Sequence, residues 1–475
     1  MLRLSAILIA LCLATSGCGI ILRTPASPVA PTAPVVAAIP ADPVKSRPNP
    51  VLPPVSTDPL VLPEGQTVVS ITFDDGRISN KAAAQMLTAH GLSGTFFINS
   101  GNIGKPGYLS LPDVDAMALS GNEIGGHTVN HPDLDVFTAD EVRRQVCDDR
   151  VTLLGWGFPV RSFAYPFGFT TPEVEQAVKD CGYNSARSLG ELWGPRPAAN
   201  LPPELTCRSC DTAETLPPPD PWHTQAPAQV THDWTVDDFQ QQVNAAVSRG
   251  DGWVQLTFHG LCPSDCSDIT TPQTPQFNVF LAWLADQQAQ GRVIVRTVGD
   301  VIGGPVAPPV PGPAPTTTVV NPGLDAQEDG VPSCWMRASF GNNSPEFSLI
   351  PTKRGPTAER LVMRNYVDGD AKLLPTTDLG ECAPEVSPGQ TYTVQAWYTS
   401  TVPTSFVVQY RLARGVWVYG VTSPKFEPAT EFTRASWTLP PIPEGVTAIS
   451  FGLNLTQDGE LVTDDYSLIT EGSHP

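Results

Sequence analysis

Thr67-Val68-Val69-Ser70-Ile71-Thr72-Phe73-Asp74-Asp75-Gly76 is an apolar, largely β-branched run that stops abruptly at two carboxylates and a glycine. The run has the composition of a buried strand. Two adjacent carboxylates repel each other unless a cation lies between them or one keeps its proton. A pair at such a strand end therefore marks a metal site or an acid/base site.

Outward from this run, strand-like stretches recur at 95–98, 162–165, 253–258 and 292–297, with helical patterns between them. Thr138-Ala139-Asp140-Glu141 is a capping-box signature. Thr171-Pro172 opens a helix with Val174, Ala177, Val178 and Cys181 on one face and Gly182 beyond its end. The alternation predicts an α/β domain over residues 65–302, a parallel sheet either open or closed into a (β/α) barrel-like form. Residues 19–64, rich in Pro, and 303–319, rich in Pro and Thr, read as spacers on either side. From 320 to 475 the period changes to two: Tyr392, Val394 and Ala396 share one face, as do Phe406, Val408, Tyr410 and Leu412. That pattern predicts an all-β sandwich or jelly roll.

A chain of 475 residues accommodates two or three modules, and its net charge of −20 argues against nucleic-acid or anionic-membrane partners, which need clustered Lys and Arg. Residues 1–18 have the form of an export signal: Arg3, an apolar stretch from Leu4 to Ala14 too short to span a bilayer, then small residues up to Cys18. Ser16-Gly17-Cys18 is similar to a bacterial lipobox, with Thr15 where an aliphatic residue is usual. The expectation is a lipid anchor at Cys18 or an ordinary cleaved signal. Both put the mature protein outside the cytoplasm, anchored or secreted, and a monomer is expected.

With Cys12 and Cys18 set aside, eight of the ten cysteines remain, an even number in an oxidising compartment. The expected disulfides are Cys334 with Cys382 and Cys147 with Cys181. Cys207, Cys210, Cys262 and Cys266 have the spacing of a four-thiolate zinc site, though disulfides, local or crossed, suit the compartment better.

His127-Thr128-Val129-Asn130-His131 places two imidazoles four residues apart, able to converge on one metal ion. Pro132 favours a loop there over a helix. His259 follows another apolar run, as a general acid/base residue would, although a structural histidine fits the same place. Asp74-Asp75, His127-His131, the Tyr165-Pro166-Phe167-Gly168 turn and His259 all fall at or after the C-terminal ends of candidate strands. Parallel α/β folds build their active sites on that edge.

At these residues the chain resembles the polysaccharide deacetylase family, carbohydrate esterase family 4 or the NodB-homology domain. Thr72-Phe73-Asp74-Asp75-Gly76 matches its first motif, His127 through His131 its second, and Leu256-Thr257-Phe258-His259 its last. The resemblance implies a divalent metal, usually zinc, on Asp75, His127 and His131. It further implies Asp74 as catalytic base, His259 as acid, and an oxyanion or substrate contact at the Phe167 N–H and at Tyr165. The substrate would be a cell-wall or environmental polysaccharide losing N-acetyl or, less in keeping, O-acetyl groups. One departure concerns the arginine that normally pairs with the base. Its position holds Ala164, leaving Arg187 either as a substitute or as a solvated side chain. A non-catalytic, metal-containing carbohydrate-binding protein of the cell surface is the alternative that this departure keeps open.

The C-terminal module resembles galactose-binding-like jelly rolls that bind carbohydrate, through Asn321-Pro322-Gly323-Leu324 and Thr463-Asp464-Asp465-Tyr466. That resemblance implies a structural calcium near Asp465. Trp335, Trp397, Tyr398, Trp417 and Tyr419 would form either a sugar platform or the module's core.

Overall fold

The computed structural model describes residues 48–196, 207, 209–264 and 267–470. The export signal, the Cys18 lipobox, the first part of the leading spacer and Cys266 lie outside the described residues. Among those described, no helix is long and apolar enough to cross a membrane.

The first domain is a parallel sheet curled into a half-barrel. Its strands are β1 (Thr67–Phe73), β2 (Thr95–Ile98), β3 (Glu123–Gly126), β4 (Ser162–Ala164), β5 (Ser185–Arg187), β6 (Gly252–Phe258) and β7 (Val293–Val295). Their order is β5-β4-β3-β2-β1-β6, with β7 also on β1. All seven residues of β1 pair with β6, while the opposite edge of β1 is shared by β2 at Thr72 and Phe73 and by β7 at Thr67 to Val69. Layers on both faces bury β1 completely, which is why it reads as a continuous apolar run rather than an alternation. Around the sheet lie α1 (Asn80–Ala89), α2 (Leu111–Leu119), α3 (Ala139–Arg143), α4 (Asp149–Gly155), α5 (Pro172–Asp180), α6 (Val236–Arg249), α7 (Thr274–Ala289) and α8 (Val298–Ile302). Phe73 stacks on Phe96 and Phe258, each at 5.1 Å, at the centre of the core.

β3 and β5 had no counterpart among the expected strands. β3 carries Gly125 and Gly126 because neighbours crowd it: a Cβ on Gly125 would lie 2.5 Å from the Phe97 ring, and one on Gly126 would meet the Tyr183 hydroxyl at 2.0 Å. The capping box at Thr138 is also incomplete. Its hydroxyl accepts from Glu141 N, but the Glu141 carboxylate turns outward to accept from Leu379 N at 2.9 Å.

The segment 303–319 is a strap rather than a free spacer. Buried Arg150 donates to the carbonyls of Ala307 and Pro308, and Arg144 to those of Pro313 and Ala314. The described end of the leading spacer also lies on the domain, through Leu60 N to Val301 O and Arg161 to Ser56 O.

The second domain begins with a small ribbon, β8 (Gln327–Glu328) and β9 (Val331–Pro332). Then follow β10 (Trp335–Phe340), β11 (Ser344–Ile350), β12 (Ala358–Arg364), β13 (Asp370–Pro375), β14 (Tyr392–Ser400), β15 (Ser405–Leu412), β16 (Trp417–Thr422), β17 (Ala429–Thr438), β18 (Val446–Leu455) and β19 (Gly459–Thr470). They form two antiparallel five-stranded sheets, β10-β13-β18-β15-β16 and β11-β12-β19-β14-β17. The alternating residues of β14 and β15 point into the shared core.

Trp335 and Tyr398 belong to that core, and Trp417 donates to Asp378 O. Trp397 lies 3.9 Å beneath the Arg354 guanidinium, and Tyr419 is exposed. Cys147 is bonded to Cys181, Cys334 to Cys382 and Cys207 to Cys210. The local Cys207–Cys210 bond and the disulfide at Cys262 exclude a four-thiolate zinc site. The described residues, from 48 to 470, fall within one compact unit.

Candidate active site

At the C-terminal edge of the sheet, Asp74, Asp75, His127, His131, His259 and Phe167 line one cavity of about 250 Å3. The ladder between β1 and β6 runs one residue past the strand, Asp74 N donating to Phe258 O at 2.8 Å, and this fixes the start of the turn. Asp75 then adopts a left-handed conformation with φ 73°, followed by Gly76 at φ 71°. Side chains rarely adopt that region, and such strain concentrates where function demands it.

Asp75 Oδ1 lies 3.6 Å from His127 Nε2 and 3.5 Å from His131 Nε2, while its Oδ2 accepts from Arg77 Nε at 3.0 Å. Among the described residues, these three alone bring their donor atoms close enough to share an ion. His127 Nδ1 stands 2.7 Å from Ala164 O, a pure acceptor, so this nitrogen carries the proton and Nε2 presents its lone pair. That Nε2 is buried with no hydrogen-bond partner. Two imidazoles, one carboxylate and an orphaned buried nitrogen fit a divalent metal.

The surroundings tune these groups. Burial works to raise the Asp75 pKa, but the neighbouring imidazoles of His127, His259 and His131 hold it well below the usual carboxylate range. Burial, with His127 beside it, lowers His131 to about 4, leaving a neutral imidazole at neutral pH. For His127, burial pulls downward while Asp75 and Asp74 carry it above its ordinary value. His127 N also donates to Asp149 Oδ2 at 3.1 Å, and burial raises that carboxyl to about 7.

Asp74 is buried beside Asp75 but meets a different partner. Its Oδ2 accepts from Arg187 Nη2 at 2.5 Å, and its Oδ1 has no hydrogen-bond partner. Arg187, on β5, is fully buried, donates to Thr257 Oγ1 at 3.2 Å and lies over the Phe97 ring. The guanidinium thus reaches the Asp74 carboxylate from β5, next to the β4 strand that ends in Ala164. His259 is partly exposed with a buried, unpartnered Nδ1, and its pKa is lowered by desolvation and by Arg77.

Phe167 sits in a tight turn at φ 60°, half exposed, its ring edge-on to His131 at 4.7 Å. Tyr165 corrects an expectation: its ring is buried outside the cavity and its hydroxyl donates to Trp222 O at 2.7 Å. Between β5 and α6, Trp234 is in the core and Trp222 Nε1 donates to Tyr183 O. Asp465 forms an ion pair with Arg354, and near it no group of three potential metal ligands forms among the described residues.

Arg77, Gln229 and Thr270 also line the cavity, and Arg77 bridges Asp75 to Asp268. Arg77 was detectable as a cation two residues after Asp75. Gln229 and Thr270 sit in loops with no pattern to mark them.

The sequence model of the family described as polysaccharide deacetylase matches residues 62–186. A chitooligosaccharide deacetylase of Azorhizobium caulinodans is 31% identical over 125 residues, 25% of this chain and 57% of that protein. A peptidoglycan-N-acetylglucosamine deacetylase of Bacillus cereus is 26% identical over 145 residues, 29% of this chain and 64% of that protein. The chain thus spans less than two thirds of either relative. A Streptococcus pyogenes deacetylase solved in complex with acetate aligns at 25% identity with TM-score 0.25, covering 26% of this chain and 56% of that one.

Proposed function

We propose that this chain, which carries a polysaccharide deacetylase domain, is an exported hydrolase that uses a divalent metal, zinc by preference, to remove N-acetyl groups from a glycan. One observation carries the reading. The Asp75, His127 and His131 cluster shares a cavity with an ion-paired Asp74 and with His259. The similarity to deacetylases of chitooligosaccharide and peptidoglycan supports amide over ester hydrolysis.

Asp75, His127 and His131 would hold the ion, which supplies Lewis acidity to a carbonyl and to water when bound. Asp74 takes the proton of the attacking water through its unpartnered Oδ1, while Arg187 on Oδ2 keeps the carboxylate oriented. His259 protonates the departing nitrogen so that the amine leaves neutral. The N–H of Phe167, in its left-handed turn at the cavity, donates to the oxygen on which negative charge develops. The alternative of a non-catalytic binding protein drew on the missing arginine at 164, and the contact between Arg187 and Asp74 supports the hydrolase over it.

Acetate release from N-acetylglucosamine oligomers, peptidoglycan and acetylated xylan, with and without chelator, tests this. Release from an N-acetylated glycan is expected, lost on chelation and restored by zinc. No metal-dependent release from any of them would sink the reading.

A further inference from the structure

The segment from His127 to His131 is strained at two residues, Thr128 and His131. Thr128 has φ 67° and His131 φ 59°, conformations that side chains rarely adopt and that persist only when the surroundings over-determine them. One side of this support comes from the catalytic domain. Gly101 N donates to Val129 O at 2.9 Å, Val129 N to Gln145 O at 3.1 Å, and Asn130 N to Gln145 Oε1 at 3.1 Å.

The other side comes from the sandwich. The turn joining β15 to β16, residues 413–416, lies against the ligand loop, where Asn130 Nδ2 donates to Gly415 O at 3.3 Å, and against the segment after β2, where Arg414 Nη1 donates to Ile103 O. Gly415 is left-handed at φ 74°, and a Cβ there would stand 2.8 Å from Val129 Cγ1 and 2.7 Å from Leu379 Cδ2. Val129 is 4% exposed, yet it belongs to none of the core clusters of either domain. Gly415 and Leu379 both lie beside it, at the rim of a small cavity that it shares with Ala413 and Arg414.

We propose that the β15–β16 turn is a positioning element of the active site. By closing over Val129 and Asn130, the C-terminal sandwich holds the loop that presents His127 and His131, and so sets the affinity for the metal. The inference rests on reading those two histidines with Asp75 as metal ligands. Partners that orient metal ligands typically change affinity 10- to 100-fold when lost.

The test uses full-length Gly415→Val, Arg414→Ala and Asn130→Ala, with Tyr419→Ala on the exposed part of the same hairpin as control. Zinc affinity is read by chelator competition and loop order by amide hydrogen exchange over residues 127–131. The three turn and loop variants are expected to bind zinc about tenfold more weakly and to exchange faster at 128–131, with Tyr419→Ala like wild type. Should Gly415→Val fail to fold, Asn130→Ala, which keeps the backbone chemistry unchanged, carries the comparison. Wild-type affinity and exchange in the folded variants would overturn the proposal. If the wild type binds no zinc, the metal part is overturned and the exchange comparison decides the support of the loop. Zinc binding without acetate release from any glycan would count against the proposed activity and leave this inference standing.

Discussion

Asp74 and Asp75 are neighbours of identical chemistry in different surroundings. Asp75 faces two imidazoles and Arg77, whereas Asp74 meets one guanidinium and keeps an oxygen free. Asp74→Asn preserves shape and removes a base, so it should leave zinc affinity within about threefold while lowering kcat at least 100-fold. His127→Ala should lose both. Equal metal loss in the two variants, measured by chelator competition, would refute the division of roles. Arg187→Met leaves a buried carboxylate without its partner, and such changes destabilise by about 3 to 5 kcal/mol; urea unfolding would register the loss. Asp74, Asp75, His127, His131 and His259 were legible because each follows an apolar run or spacing that chemistry explains. Arg187 was visible only as one of two readings, since no pattern tells which strand supplies a distant cation. Asp149, within a helix and far from the motifs, left no trace.

The long strands β1 and β6 were readable because burial on both faces gives unbroken apolar runs. β3 and β5 were not, being four and three residues long, the first with two glycines that serve close approach of Phe97 and Tyr183. The helix α5 was readable from its Thr-Pro start and its apolar face, and it ends at Cys181, bonded to Cys147 at a separation of 34 residues. Closing a loop of that length restricts the unfolded chain by about 4 kcal/mol in the chain-entropy model. The double variant Cys147→Ala/Cys181→Ala should lose stability of that order in denaturant titrations. A loss under about 1 kcal/mol would mean that α5 is held by packing alone.

At the scale of the molecule, period-two alternation announced a second domain, but its attachment was invisible. Contacts between domains depend on side chains that look ordinary in their own segments. Glu141 is the clearest: read as half of a capping box, it instead crosses to Leu379 N, with Arg144 beside it and Asp378 opposite. Burial, with Asp378 adding to it, raises this carboxyl from 4.5 to about 7. In the unfolded chain it ionises near its ordinary value, so between about pH 4.5 and 7 the folded state binds the extra proton. Its contribution is complete below that window and declines as pH rises through it. Glu141→Gln keeps an acceptor for Leu379 N and removes the titration. The variant should therefore flatten the fall in stability from pH 5 to 7.5 and gain about 1 to 3 kcal/mol over wild type at pH 8. Thermal unfolding across that range provides the measurement. Parallel pH profiles for variant and wild type would show that the carboxyl is already ionised at the interface, with Arg144 as its counter-ion.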